Sequence, residues 1–339
     1  MSFPRIWVFP GNRPGDDAQV YALAEELGLP FETRPMRYNW RFKLGGRHMG
    51  ASAISIVKEV REKTLVPPWP DLILIAGKHP VPVARWVQEQ SGGRTRLVFI
   101  GHPRVPPETF DLVYATRSYL TPTGSSMRLL PVALSRYREA PVATAEERTW
   151  LESLPRPHLL MMLGGKTRHW KMRPEFIAER AADLARRAQI AGGSLIVARS
   201  ARTREDALDA IEERLEDAGS EWRVLRHDFP SFRVLLDDAD ELFPTFDSIS
   251  MISESVITGK PTGIVPIEMN LIGRIALGPR VNERSRKRDL RRFSNHLIED
   301  GLAGTIERPV ASKTVNPAIA AAEEVRGILR QMLGELPPS

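Results

Sequence analysis

The sequence predicts an α/β protein of two Rossmann-type domains, each built on a doubly wound parallel sheet. Three observations carry this reading. Short apolar runs alternate with amphipathic stretches along most of the chain, and the alternation lapses between residues 134 and 157 before it restarts. The third is length: 339 residues exceed one ordinary core but suit two domains of about 150 residues each. Strands that alternate with helices pair in parallel through right-handed crossovers, which gives helices on both faces of a sheet.

In the first half, residues 5–9 read as a strand, and residues 17–27 place Val20, Leu23, Ala24 and Leu27 on one helical face. Gly28 then stops that helix, as glycine does beyond a helix end. Residues 71–76 and 97–100 are buried-type strands around a helix at 83–90, and residues 111–115 add another strand. Arg, Glu, Ala and Pro dominate the stretch between residues 134 and 157, with one helical patch at 145–154. That composition marks a domain boundary.

The second half repeats the plan. Residues 159–163 form a strand ending in Gly164 and Gly165, residues 174–188 a helix opened by Pro174, and residues 193–198 a strand. An amphipathic helix at 203–217, a strand at 223–225 and a short helix at 231–237 follow. Glu241–Pro244, residues 248–258 and residues 262–266 complete a strand, helix, strand unit, and Pro317–Leu333 is a final helix. The domains are therefore expected at residues 1–140 and 141–310, with residues 311–339 packing back across both.

Composition narrows the chemistry. A hydrophobic content of 42% with 27% charged residues is that of a globular chain. The longest apolar stretches, at 72–76 and 159–163, fall far short of the roughly 20 residues of a spanning helix. The N-terminus lacks the pattern of a secretory leader, so a cytoplasmic location is expected, with peripheral attachment at the inner membrane. There is no cysteine, which removes disulfides, thiolate nucleophiles and Cys-based metal sites. The seven histidines are scattered, without an HExxH or HxH pair, so no metal is expected. A net charge of +6 favours an anionic partner. Arg284 to Arg292 is the densest basic run, but no nucleic-acid motif accompanies it; it reads as a solvated or membrane-facing surface. Tyr38 to Leu44 mixes aromatic and basic residues and suits either an anionic lipid surface or a partly buried loop.

Two loops carry the candidate chemistry, because ligands of open α/β sheets bind beyond the carboxyl ends of strands, often at helix N-termini. In Gly164, Gly165, Lys166, Thr167 and Arg168, two glycines let backbone approach a phosphate while two cations add charge; a flexible turn is the alternative. Ser200 and Arg202, in the next strand-to-helix loop, join this set. In the segment 243–261, Asp247 or Ser248 caps a helix whose first turn, Ser248, Ile249, Ser250 and Met251, offers amides and hydroxyls to an anion. Glu254 stands about a turn and a half further on, within reach of ribose hydroxyls. Asp238-Ala239-Asp240 matches the Asp-x-Asp of metal-dependent transferases, yet it reads better as a solvated helix end.

Ser253-Glu254, four residues, Gly259-Lys260-Pro261 and Val265-Pro266 together resemble the donor-site segment of GT-B glycosyltransferases, notably the peptidoglycan N-acetylglucosaminyltransferase. The chain more closely resembles the bacterial and plant family named for elongated mitochondria and mitochondrial fission. The residues that carry this are 11–27, Pro70-Asp71-Leu72, Ala76-Gly77, 82–86, 103–106, 110–113 and 247–254. That family has His-Glu after Pro-Gly where this chain has Asp16-Asp17. The resemblance implies a GT-B-like fold of two domains facing a cleft, with acceptor bound N-terminally and a nucleoside-diphosphate sugar C-terminally. It assigns Glu254 to the ribose, Gly165, Ser248 and Ser250 to the diphosphate, Glu268 and Asn270 to sugar hydroxyls, and the neighbourhood of Phe229 to the base.

The expected activity is metal-independent transfer of a sugar to a hydroxyl acceptor, lipid-linked or part of a cell-envelope glycan, without a further cofactor or nucleic acid. Asp16 or Asp17 is the first candidate for general base, followed by His79 and His102. The rivals are a nucleotide-sugar epimerase on the same fold and a non-catalytic scaffold.

Overall fold

The computed structural model describes residues 3–334 apart from 12, 45, 119–123, 138–141, 283, 286 and 313. It divides into two compact units, Met1–Arg117 with Thr121–Arg136 and Asn316–Ser339, and Ser118–Leu120 with Tyr137–Val315.

In the first unit the chain runs β1 (Ile6–Phe9), α1 (Pro14–Glu26), β2 (Phe31–Thr33), a 3-10 turn (Trp40–Leu44), α2 (Gly46–Met49) and α3 (Lys58–Thr64). It continues through β3 (Leu72–Ala76), α4 (Val81–Gln90), β4 (Arg96–Ile100), β5 (Leu112–Thr116) and β6 (Met127–Leu130). The strands form one sheet in the order β2-β1-β3-β4-β5-β6, all in parallel. Alternation along each strand fills both faces. Ile6, Val8, Leu72 and Leu74 pack with α1 and the helix Pro317–Leu333, whereas Trp7, Phe9, Ile73 and Ile75 pack with α4. Helix α1 opens three residues earlier than its apolar spacing suggests, because Pro14 fixes the first turn and Asp16 and Asp17 complement the helix dipole. The C-terminal helix is fastened by Arg326, whose guanidinium donates to the carbonyls of Glu26 and Leu27 at 2.6 and 3.1 Å.

The second unit contains α5 (Ala145–Glu152), β7 (His158–Met162), β8 (Trp170–Lys171), α6 (Pro174–Ile190), β9 (Ser194–Ala198), α7 (Glu205–Leu215), β10 (Glu221–Leu225) and α8 (Phe232–Asp238). Then come β11 (Glu241–Pro244), α9 (Ile249–Ile257), β12 (Gly263–Ile264), β13 (Glu268–Met269), α10 (Leu271–Leu277), α11 (Leu290–Glu299) and β14 (Gly304–Thr305). A parallel sheet runs β10-β9-β7-β11. Parallel bridges from Leu242 to Thr262 and from Thr245 to Val265 lay β12 along β11, and β14 pairs beyond it. The expected strand at 262–266 is cut to two residues, because the flanking Pro261 and Pro266 have no amide to donate to a ladder. Asp238 and Asp240 hold Arg156 and His158: the Asp240 carboxylate accepts the His158 amide at 2.7 Å, and Asp238 pairs with Arg156 and the His158 ring at 2.5 Å for the latter. These aspartates thus stitch the end of α8 to the start of β7.

Candidate functional site

Both units place their loop chemistry where the strand order reverses, the position at which an open α/β sheet leaves a crevice for ligands. In the second unit that point lies between β7 and β11, and the loops after β7, β9 and β11 are tied together. The Gly164 amide donates to Thr245 Oγ1 at 2.8 Å, and the Gly165 amide donates to Asp247 Oδ2 at 2.8 Å. The Thr245 hydroxyl in turn donates to Asp247 Oδ1 at 2.8 Å. Arg202 Nη1 stands 3.1 Å from Asp247 Oδ2, and the Ser200 and Thr203 hydroxyls lie 3.1 and 2.7 Å from the Gly164 carbonyl. Burial pushes the Asp247 carboxyl up from its ordinary value, while the Gly165 amide, Arg202 and Thr245 pull it back.

The amides of the two glycines expected at a phosphate are directed at Thr245 and Asp247. Absence of a side chain is required for packing: a Cβ on Gly164 would lie 2.3 Å from Asp247 Oδ2, and one on Gly165 would lie 2.1 Å from the Arg202 carbonyl oxygen. Asp247 is accordingly not the helix cap. Ser248 takes the N-cap position of α9, without a side-chain capping bond, leaving the amides of Ile249, Ser250 and Met251 without carbonyl partners inside the helix. Glu254 is half-buried on the same helix.

Beside Gly165 opens a cavity of about 520 Å³ lined by Lys166, Lys171, Arg202 and Arg204 with the single acid Asp206. Pro174, Ala207 and Leu271 bring the starts of α6, α7 and α10 to its wall, and helix starts carry partial positive charge. Arg204 is paired with Asp206. Lys166 and Lys171 have no carboxylate within ion-pair distance among the described residues. Thr167, in the same loop, holds a buried hydroxyl with no hydrogen-bond partner among the described residues.

Of the expected binding residues, Gly165, Lys166, Arg202 and Asn270 meet at this cavity. Gly164 and Ser200 stand behind it, and Thr167, Arg168, Phe229, Ser248, Ile249, Ser250, Met251, Glu254 and Glu268 do not line it. Phe229 is 38% exposed in the loop after β10. Glu268 and Asn270, expected at sugar hydroxyls, both have partners within the protein. Arg173 grips the Glu268 carboxylate with two nitrogens, one at 2.8 Å. Asn270 caps α10 by accepting the Gly273 amide at 2.8 Å and donates to the Arg168 carbonyl at 3.1 Å. The sequence reading does not single out Lys171, Arg204 and Asp206, which also line the cavity; Arg204 stands immediately before α7 and Lys171 three positions before α6.

In the first unit the order reverses between β1 and β3, and the loops after these strands touch closely. A Cβ on Gly11 would come within 2.7 Å of the Ala76 carbonyl oxygen, and Gly77 has a φ of +73°. Asp17 Oδ1 accepts the Gly11 amide at 2.5 Å, so it braces the loop after β1; α1 has Arg13 at its N-cap, without a side-chain bond. Asp16 and Asp17 are both half-buried. His79 packs against Tyr38 and Phe42, with ring centres 5.7 and 5.1 Å away. Burial holds its imidazole below the ordinary histidine value, reinforced by Lys78, Arg13 and Arg104. His102 is lowered to about 4 by burial and by Arg104. The buried Tyr38 hydroxyl has no hydrogen-bond partner among the described residues, and burial, then the charge of Asp17, raises its pKa well above the ordinary tyrosine value. The segment around Tyr38 is thus partly buried against His79, with Trp40 exposed.

Among the described residues no group of three or more His, Asp or Glu side chains is placed to hold a metal ion. No described helix is long and apolar enough to cross a membrane.

Comparison with known proteins places this geometry in context. The profile of the family described as Mitochondrial fission ELM1 matches residues 14–329. An uncharacterised protein of Rickettsia prowazekii is 29% identical over 108 residues, 32% of this chain and 30% of that one. The MnaA–UDP structure from S. aureus aligns with a TM-score of 0.54 at 12% identity, over 99% of each chain. Acinetobacter baumannii MurG aligns at 0.50 and 12%, over 98% of this chain and 93% of MurG. The UDP-GlcNAc 2-epimerase of Neisseria meningitidis, bound to UDP-GlcNAc, aligns at 0.50 and 10%, over 96% and 100%. At these identities the shared property is the fold, which is GT-B.

Proposed function

The chain belongs to the mitochondrial fission ELM1 family, and from that premise we propose that it is a glycosyltransferase whose second unit binds a nucleoside-diphosphate sugar. The observation that carries the proposal is the cavity of about 520 Å³ beside Gly165, within the size range of small-ligand sites and walled by four cations and three helix starts. A diphosphate is the ligand that this charge suits. Lys166 and Lys171 pair with its oxygens, and with Arg202 and Arg204 they stabilise the diphosphate as it leaves, so no metal ion or further cofactor is required. Glu254 takes the ribose hydroxyls, and the base stacks on Phe229. In the first unit Asp17 or His79 accepts the proton of the acceptor hydroxyl.

The similarity to the Neisseria UDP-GlcNAc 2-epimerase supports a second reading, nucleotide-sugar epimerisation. An epimerase turns over its nucleotide sugar alone, whereas a transferase needs an acceptor.

A thermal-shift panel of nucleoside diphosphates and nucleotide sugars tests the proposal. Ligand at about 100 times its dissociation constant stabilises by about 2.7 kcal/mol. Glu254→Ala is expected to weaken the best ligand by about 1 to 3 kcal/mol, the value of charge-assisted bonds to a sugar. No stabilisation by any nucleotide would leave the scaffold reading standing.

A further inference from the structure

Helix α10 turns its apolar side outward. Its seven residues put Leu271, Ile272 and Ile275 on one face, where they are 71%, 58% and 79% exposed, while Gly273 and Leu277 face the protein. A surface helix ordinarily shows the reverse pattern. The sequence here is cationic: residues 270–288 contain Arg274, Arg280, Arg284, Arg286, Lys287 and Arg288 against the single acid Glu283. Arg274, Arg280, Arg284, Lys287 and Arg288 are exposed. The basic segment is bound to the end of the helix and does not hang free of it. Lys287 Nζ donates to the Ala276 carbonyl at 2.9 Å, and the Arg291 guanidinium donates to the carbonyls of Gly278 and Pro279 at 3.1 and 2.9 Å. Asp289, the acid that follows, is buried and paired with Arg291, so it does not offset the rim.

We propose that α10 and the segment behind it dock the protein on an anionic phospholipid surface, with Leu271, Ile272 and Ile275 among the acyl chains and the cations at the headgroups. An apolar face ringed by cations matches the two layers such a surface offers, apolar beneath and negative above. A second copy of the chain is a poor occupant, because it would bring two cationic rims together. The inference is independent of nucleotide binding. Leu271 and Ile272 also line the cationic cavity, so the docking face adjoins it.

The test is sedimentation of the full chain with vesicles of phosphatidylcholine alone or with about 30% phosphatidylglycerol, at low and high salt. Binding is expected to favour the anionic vesicles about tenfold or more and to weaken with salt, each lost cation counting about fivefold. Ile275→Glu, which lies outside the cavity lining, is expected to lower binding about tenfold. Arg274→Glu with Arg280→Glu is expected to remove the preference for anionic lipid. Both variants alter exposed side chains, and an unchanged unfolding transition confirms that they fold. Equal binding of Ile275→Glu and the parent chain overturns the proposal, as does failure to bind either vesicle. Dimerisation that Ile275→Glu abolishes, without vesicle binding, overturns it in favour of a second copy.

Discussion

Asp247 accepts the Gly165 amide on Oδ2 at 2.8 Å, and its carboxylate occupies the space that any side chain on Gly164 would need. One buried acid therefore fixes the loop after β7 to the loop after β11 and sets the wall from which Lys166 and Arg202 reach the cavity.

This arrangement predicts a strongly non-additive pair. Gly164→Ala alone overpacks the site and is expected to cost about 1 to 3 kcal/mol. Asp247→Ala strands the Gly165 amide and is expected to cost a similar amount. With the carboxylate gone, the added methyl has room, so the double variant should be more stable than the sum by about 1 kcal/mol or more. Urea denaturation of the four proteins measures the coupling; additive costs would show that the two residues do not share that space.

Cations of the cavity are expected to act on diphosphate affinity and not on folding. Lys171→Ala should weaken a nucleoside diphosphate by about 1 kcal/mol or more, with a steeper loss for the diphosphate than for the free nucleoside. Lys166→Ala should behave likewise, and calorimetric titration at two salt concentrations separates the charge effect. If both variants bind as the parent does, the diphosphate is held elsewhere, for which the first turn of α9 is the remaining candidate.

These tests concern contacts that the sequence exposes only in part. Period and punctuation were enough for Pro317–Leu333 and Glu241–Pro244, because Pro or flanking turns fix their ends and apolar spacing fixes their type. Strands β2 and β6 were not legible: each is short and only partly buried, so neither shows a sustained apolar run. Helix α10 was missed for the reason that makes it notable, since a helix apolar on two faces has no amphipathic period. In the candidate site, Gly164 and Gly165 mark a loop that the sequence shows, but the bonds of their amides are not legible there. The partners of their amides lie 81 and 82 residues away, and no local pattern announces a bond that packing creates. The partner of Glu268 is equally hidden, since Arg173 lies 95 positions earlier.

His102 gives a pH prediction. Its pKa is about 4 in the folded protein against an ordinary 6.5, so between these values the unfolded chain binds a proton that the fold refuses. Stability therefore rises with pH across that window and is fully present above it. A shift of this size amounts to about 3 kcal/mol if fully expressed, and partial solvent access reduces it to about 1 kcal/mol. His102→Gln should flatten the dependence of the unfolding midpoint between pH 4 and 6.5; an unchanged slope would assign it to other groups.

The last prediction separates two candidates for the proton acceptor in the first unit. Asp17 holds the Gly11 amide through one carboxylate oxygen, and the amide oxygen of asparagine preserves that bond. Asp17→Asn should accordingly fold with stability within about 0.5 kcal/mol of the parent. If Asp17 is the base, turnover with acceptor falls about 100-fold or more while nucleotide affinity is unchanged, since the nucleotide is assigned to the other unit. If His79 is the base, Asp17→Asn keeps its turnover and His79→Gln loses it. The pH profile gives an independent sign. Burial and three neighbouring cations hold His79 below 6.5, so it is neutral and able to accept a proton at neutral pH. As base it would give kcat/KM an acid limb below pH 6.5, rising with pH, and His79→Gln would abolish that limb along with the rate. Full turnover in both variants would remove both residues from the chemistry.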